Sequence, residues 1–208
     1  MSPGATFERV YRAIKDQLGG LRYRPGDQLE PATLADELNS SITPVRDALH
    51  RLVGETLVEA PPTDGFRVPL VTEVALRHAY AWNNWLADFA LRSASGSRAS
   101  VPGPVLEDVS GRYAGELFLA IARGSGNPEH EAAVARLNDR LRPVRTVEER
   151  LLGDTGREAV ELLGSLQSGD RSATRRLVAR YHRLRIKAAP LLVEALHRPI
   201  GTWQTTQL

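Results

Sequence analysis

Two sets of side chains have the types and spacing that chemistry requires. Arg176, Arg180, Arg183 and Lys187 recur along one flank of an apolar helical stripe, a spacing that lines up cations on one side of a helix. Arg176 and Arg180 could therefore reach an anionic ligand, with Tyr181, Trp82 and Trp85 as aromatic walls of a pocket. The competing reading is a solvated basic face, and aromatics at helical spacing that serve only as core. His78, His130, His182 and His197 have no metal-like spacing among themselves. His182 falls roughly 140° around the helix from the stripe of Tyr181 and Leu184, which points it to solvent. The Glu148-Glu149 pair reads as a solvated helix face.

Enzymatic chemistry finds no foothold. The chain has no cysteine, hence no thiolate nucleophile, thiolate metal site or disulfide framework. It also lacks a Gly-x-Ser-x-Gly elbow, a phosphate-binding glycine loop and a His-Glu-x-x-His helix. The expectation is a non-enzyme without cofactor. No window approaches eighteen consecutive apolar residues and the first ten have no secretory pattern, which points to the cytoplasm and to no membrane partner.

Charge is distributed unevenly. The net charge is +2, yet residues 1–70 carry eight basic and ten acidic side chains. The basic excess therefore lies in the C-terminal part. Since non-specific affinity for nucleic acid comes from neutralising phosphates, the N-terminal part gains none from bulk electrostatics.

The elements that must position these residues follow from periodicity. Phe7, Val10, Tyr11, Ile14 and Leu18 share a face, predicting a helix from Ala5 to Leu18, ended by Gly19-Gly20. Turn residues Arg24-Pro25-Gly26-Asp27 precede a short helix from Pro31 to Leu38. Ser41 suits an N-cap and Pro44 a first helical turn, so Val45, Leu49 and Leu52 form the buried face of a third helix. Leu57 to Ala60 and Phe66 to Val68 flank Pro61-Pro62-Thr63-Asp64-Gly65, the pattern of a hairpin. Helix, helix, turn, helix, hairpin is the order of a winged helix-turn-helix. Beyond Thr72 only helical periodicity appears. Helices are expected at Glu73 to about Ser93, Val105 to Ala122, around Val134 to Val144, at Glu158 to Leu166 and from Arg171 on, with Pro190 kinking or splitting the last. The fold class is mostly α: a winged helix-turn-helix with a small β-hairpin wing over residues 1–70, then an all-α bundle over 71–208 for effector binding or dimerisation.

Leu21 to Val68 resembles the DNA-reading domain of GntR-type regulators. The likeness runs through Arg24-Pro25-Gly26-Asp27-Gln28-Leu29, Leu34-Ala35, Ser41 to Leu52, Leu57-Val58 and Gly65-Phe66-Arg67-Val68. The helical remainder is similar to the FCD-like effector domain of the FadR-type branch, through Phe118, Ser125-Gly126-Asn127 and Gly169-Asp170. The resemblance implies a homodimeric regulator, probed first as a repressor, which binds a palindromic operator in double-stranded DNA and answers to a small-molecule effector, an anion being the candidate. It implies that Ser41 and Thr43 contact phosphates or bases, that Arg46 reaches phosphate or a guanine edge, and that Gly65 brings the wing to the minor groove. Arg51 and Arg67 complete that set. Ile42 and Ala32 stand where relatives usually carry basic residues, so an atypical operator is expected. The alternative is a degenerate relative that acts mainly through protein contacts. Aligned on the same segments, Gly115, Leu119, Ala159 and Tyr181 occupy the four metal-ligand positions of that branch; none is a usual ligand, so no metal is expected.

Overall fold

The computed structural model describes residues 3–93 and 111–198. Its helices, in chain order, are α1 (Pro3–Gly19), α2 (Pro31–Glu37), α3 (Ile42–Gly54), α4 (Glu73–Ser93), α5 (Gly111–Arg123), α6 (Pro128–Leu151), α7 (Thr155–Ser168) and α8 (Arg171–His197).

The apolar spacing of α1 aligns Val10, Ile14 and Leu18, which bury against Leu34 and Ala35 of α2 and Val45, Leu49 and Leu52 of α3. Val58 and Phe66 close this first core from the side. Pro31 opens α2 in its first turn, where a missing N–H leaves no helical bond unmade.

The expected hairpin is narrower than two regular strands. Glu59 and Arg67 exchange N–H···O bonds of 2.8 and 2.9 Å, and Leu29 N–H donates to the Phe66 carbonyl at 2.8 Å. Among the described residues these pairings remain isolated bridges, Gln28 with Arg67 and Glu59 with Arg67, and form no continuous strand. Proline explains the short ladder: Pro61, Pro62 and Pro69 carry no N–H to extend it.

A second core is built wholly from α4 to α8. Leu76, Tyr80, Leu86 and Ala90 of α4 meet Val178, Ala189 and Leu192 of α8, while Leu117, Phe118 and Ile121 of α5 meet Val134, Leu137, Leu141 and Val144 of α6. The Asn127 side chain accepts from Glu129 N–H at 3.0 Å to cap α6, and the Asp170 side chain accepts from Ala173 N–H at 2.9 Å to cap α8. Gly169, at φ +76°, supplies the left-handed end of α7. Residues 105–110 of the expected fifth helix lie outside the described residues.

Pro190 does not split the last helix, which runs continuously from Arg171 to His197. Pro190 lies on the exposed side, while its neighbours Ala189 and Leu192 are fully buried. Packing on both sides of the missing hydrogen bond holds the helix together, and the lost bond falls on the solvent side, where helical bonds are longest. Pro143 within α6 is accommodated in the same element-preserving way. No helix among the described residues is long and apolar enough to cross a membrane.

The two cores meet where α1 passes α6. Lys15 Nζ lies 2.6 Å from Asp139, and Arg142 Nη1 donates to Asp16 at 2.8 Å. Gly19 allows the close approach: a Cβ there would stand 2.6 Å from the Arg142 side chain.

Candidate nucleic-acid interface

The turn from α2 into α3 is held by its own backbone and by α1. Ser40 N–H donates to the Ala35 carbonyl at 2.9 Å, and Asn39 takes the left-handed conformation, φ +47°, that reverses the chain. Arg9 of α1 then donates to the Leu38 and Asn39 carbonyls at 2.8 and 3.4 Å. Sequence reading did not single out Arg9, because a lone basic residue on a helix carries no sign of a distant carbonyl.

α3 divides cleanly between the two kinds of face. Val45, Ala48, Leu49 and Leu52 are buried, and Thr43, Arg46, Asp47 and His50 are exposed. Ser41 occupies the N-cap position with extended backbone, φ −82° and ψ 162°, but its hydroxyl makes no capping bond. That hydroxyl is left to face outward. Arg46 forms no ion pair or hydrogen bond among the described residues; Glu37, one candidate partner, instead accepts from Arg22 at 2.7 Å. A solvated guanidinium without an internal partner can be given to a phosphate or base edge at no cost in lost bonds.

The other two arginines of the expected set are committed. Arg51 donates to Glu8 at 3.0 Å and to Glu55 at 3.3 Å, and its guanidinium sits 4.0 Å from the Tyr11 ring centre. It ties α3 to α1. Arg67 is half-buried, 3.0 Å from Glu59 and 3.8 Å from Asp64, which braces the wing. Gly65 lies at φ +69° in open space near the wing's tip. The wing is seated on α3 through His50, whose ring meets Phe66 edge-on at 5.0 Å. Ile42, 49% exposed at the start of α3, and Ala32, exposed on α2, place uncharged surface where a basic residue would add phosphate affinity.

The expected ligand set is not brought together. Arg176 donates to Ser172 at 2.7 Å on the outside of α8, and Arg180 pairs with Glu161 across the surface of α7. Trp82 is exposed and stacks at 5.0 Å on Trp85, which in turn stacks on Phe89. Of the four, Tyr181 alone faces the interior, beside a void of about 30 Å³ also lined by Phe118, Arg145, Glu148 and Arg185. A space of that size suits about one water, not a metabolite.

What fills the bundle's centre is a charged network around Glu148. Glu148 is buried, where a solvated face was expected. It accepts from Tyr80 and from Arg185 at 3.0 Å, and Arg185 also pairs with Glu158 at 2.6 Å. Arg145 donates to Asn138 at 3.0 Å, while its Nε and Nη2, like the Tyr181 hydroxyl, have no hydrogen-bond partner among the described residues. The signal was present in the register: Leu137, Leu141, Val144 and Glu148 follow the 4-3-4 spacing of one face. His182 is likewise buried, not solvent-facing, with the Tyr80 and Phe118 rings at 6.4 and 5.0 Å. Burial lowers its pKa to about 3 despite the bond to the Val178 carbonyl, so the ring is neutral.

At the aligned metal positions, Gly115 adjoins Arg145, whose Nη1 would lie 3.0 Å from an added Cβ. The guanidinium thus uses the room that a side chain at 115 would need. Among the described residues no group of three or more His, Asp or Glu could hold a metal ion.

Residues 6–68 match the family model described as bacterial regulatory proteins, gntR family. Over 63 residues the chain is 41% identical to the HTH-type transcriptional regulator McbR of Escherichia coli strain K12, a match covering 30% of this chain and 28% of that protein. The sequence likeness thus spans under a third of the curated relative's length. Among solved structures, the GntR protein of Rhodococcus sp. RHA1 superposes with a TM-score of 0.72 at 20% identity, covering 92% of this chain and 99% of that one. E. coli McbR/YncC superposes with a TM-score of 0.63 at 22% identity, covering 89% and 97%. At these identities the whole-chain likeness is one of fold.

Proposed function

We propose, with the gntR-family character of residues 6–68 as premise, that the chain is a sequence-specific DNA-binding transcription regulator. It acts as a homodimeric repressor on a palindromic operator, and a small-molecule effector modulates its binding. Residues 1–70 are the reader; residues 71–208 carry dimerisation and response. Work on genomic DNA places it in the cytoplasm. A two-fold dimer presents two copies of α3, and palindromy in the operator mirrors that symmetry.

The observation that carries this reading is the state of Arg46. It stands exposed one turn into α3, free of any partner among the described residues, with the unused Ser41 hydroxyl and Thr43 at the helix start. Arg51, on the same helix, is by contrast committed to Glu8 and Glu55. Ser41, Thr43 and Arg46 are therefore assigned to DNA, with Gly65 at the wing. Arg51 and Arg67 serve by holding α3 and the wing in place.

Fluorescence anisotropy with fragments of the chain's own promoter region tests this. The expected result is saturable binding to one fragment, competed by itself and not by unrelated duplex, weakening steeply as salt rises from 50 to about 200 mM. Absence of binding to every such fragment at low ionic strength overturns it and favours the protein-contact alternative, which the uncharged Ile42 and Ala32 would then explain.

A further inference from the structure

A ligand-sized, mainly apolar opening among the described residues lies outside the helical bundle. It is a cleft of about 730 Å³ between the two cores, walled by Leu18, Leu57, Val68, Val71, Leu76 and Val144, with Leu70 61% exposed on its edge. Small-molecule sites run from roughly 300 to 1,000 Å³ and are mainly apolar with a few placed polar groups. The bundle's interior void, by contrast, is about 30 Å³.

Its charges point to one kind of occupant. Five charged side chains line the cleft: Lys15, Glu59, Asp139, Arg140 and Arg142. Lys15 pairs with Asp139, Glu59 with Arg67, and Arg142 with Asp16. Arg140 alone of the five has no partner among the described residues. The cleft therefore offers apolar walls and one uncommitted guanidinium. We infer that this cleft binds a small amphipathic anion, its apolar body between the two cores and its carboxylate or similar head on Arg140.

The inference supplies the effector class for the regulatory reading and rests on that reading for its consequence alone. Reader and bundle both form the walls, through Leu57 and Val68 on one side and Leu76 and Val144 on the other. A bound ligand would thus bias how the reader sits against the bundle, the differential contact that coupling requires.

The test titrates the full chain with 8-anilinonaphthalene-1-sulfonate, an apolar fluorophore with one anionic group, and competes it with decanoate and with uncharged decanol. Ala75 lines the cleft yet is exposed on α4, so Ala75→Trp fills the cleft without entering either core; its thermal melt checks folding. The expected result is saturable dye binding, displaced by decanoate more strongly than by decanol, and lost in Ala75→Trp. In Arg140→Ala the advantage of decanoate should fall by about threefold or more, the scale of a solvent-screened charge contact. Dye binding that survives Ala75→Trp overturns the proposal by placing the probe elsewhere, for example on the Trp82–Trp85–Phe89 face. Equal displacement by decanoate and decanol also overturns it, as does dye release with rising protein concentration, which would assign the cleft to a second copy. The titration contains no DNA, so failure to find an operator leaves its outcome untouched.

Discussion

Lys15 Nζ stands 2.6 Å from Asp139 and 3.1 Å from Glu55, so one ammonium of α1 joins α6 to the residue that caps the C-terminus of α3. The Tyr11 hydroxyl shares the cluster, donating to Glu55 at 2.7 Å. Burial opposes the charge on Lys15, but hydrogen bonds to Asp139 and Tyr11 outweigh it and hold the pKa above the ordinary lysine range. Burial works on Glu55 in the raising direction, and the bonds from Tyr11 and Lys15 reverse it, leaving the carboxyl below its usual value. The Lys15 side chain thereby links the end of α3 to α6.

Lys15→Met should accordingly cost about 1 to 2 kcal/mol in urea unfolding, since it leaves the half-covered Asp139 without its cation and Glu55 with Arg51 alone. Because the group is partly solvated, the figure sits well below that of a fully buried pair. A double-mutant cycle with Asp139→Ala reads the tie itself, with a coupling above about 0.5 kcal/mol expected. Strict additivity of the two substitutions would show that the contact transmits nothing.

Arg46 and Arg51 lie five residues apart on one helix and should respond oppositely. Arg46→Ala removes an unpaired, exposed side chain, so the melting temperature should hold while operator affinity falls by about 1 to 3 kcal/mol. Arg51→Ala removes the bonds to Glu8 and Glu55 and the contact over Tyr11, so the melting temperature should drop. Anisotropy and thermal melts on both variants decide it. A full-strength operator complex in Arg46→Ala would remove that residue from the interface.

How far the sequence carried depends on which force sets each feature. The bounds of α4, Glu73 to Ser93, followed directly from periodicity, because one apolar face facing one core dictates them. The turn before α3 was equally plain, since Asn39-Ser40-Ser41 has few alternatives. α8 was misread in its orientation: Leu184 and Leu191 of the expected stripe are exposed, and the buried face runs through Val178, Tyr181, His182, Arg185, Ala189 and Leu192. The face is a single one, but two of its positions carry His182 and Arg185, polar residues that a hydrophobic pattern assigns to solvent. Glu148 was read as part of a solvated face, and its pairing with Arg185, which reverses that reading, is a relation between α6 and α8 that spacing within either helix cannot show. Arg176 meets the Ser172 hydroxyl one turn away on α8, and Arg180 meets Glu161 of α7, a neighbour that only folding supplies.

The buried network should be intolerant of losing one member and more tolerant of losing two. Arg185 is 1% exposed and serves both Glu148 and Glu158, so Arg185→Met leaves a carboxylate buried without its cation, at about 3 to 5 kcal/mol. Adding Glu148→Gln removes the stranded charge while keeping an acceptor for Tyr80. Urea unfolding should show the double variant more stable than Arg185→Met alone. If the second substitution only adds to the loss, the two residues do not act as a pair.

His182 makes the bundle sensitive to acid. Its ring is buried and neutral, Nδ1 lies 2.7 Å from the Val178 carbonyl, and Nε2 has no hydrogen-bond partner among the described residues. Burial pushes its pKa down to about 3 from an ordinary 6.5. The unfolded chain therefore takes up a proton across that interval and the folded chain does not, so stability is fully present above the unfolded value and declines as pH falls from 6.5 toward 3. The slope from this one group approaches about 1.4 kcal/mol per pH unit in the middle of the interval. His182→Gln keeps a polar side chain but cannot titrate. Urea midpoints measured from pH 7 to 4.5 should fall less steeply in His182→Gln than in the unmodified chain. Parallel curves would mean that the ring is reached by water or charged in the folded state, and that the packing of Tyr80 and Phe118 around it does not exclude a proton.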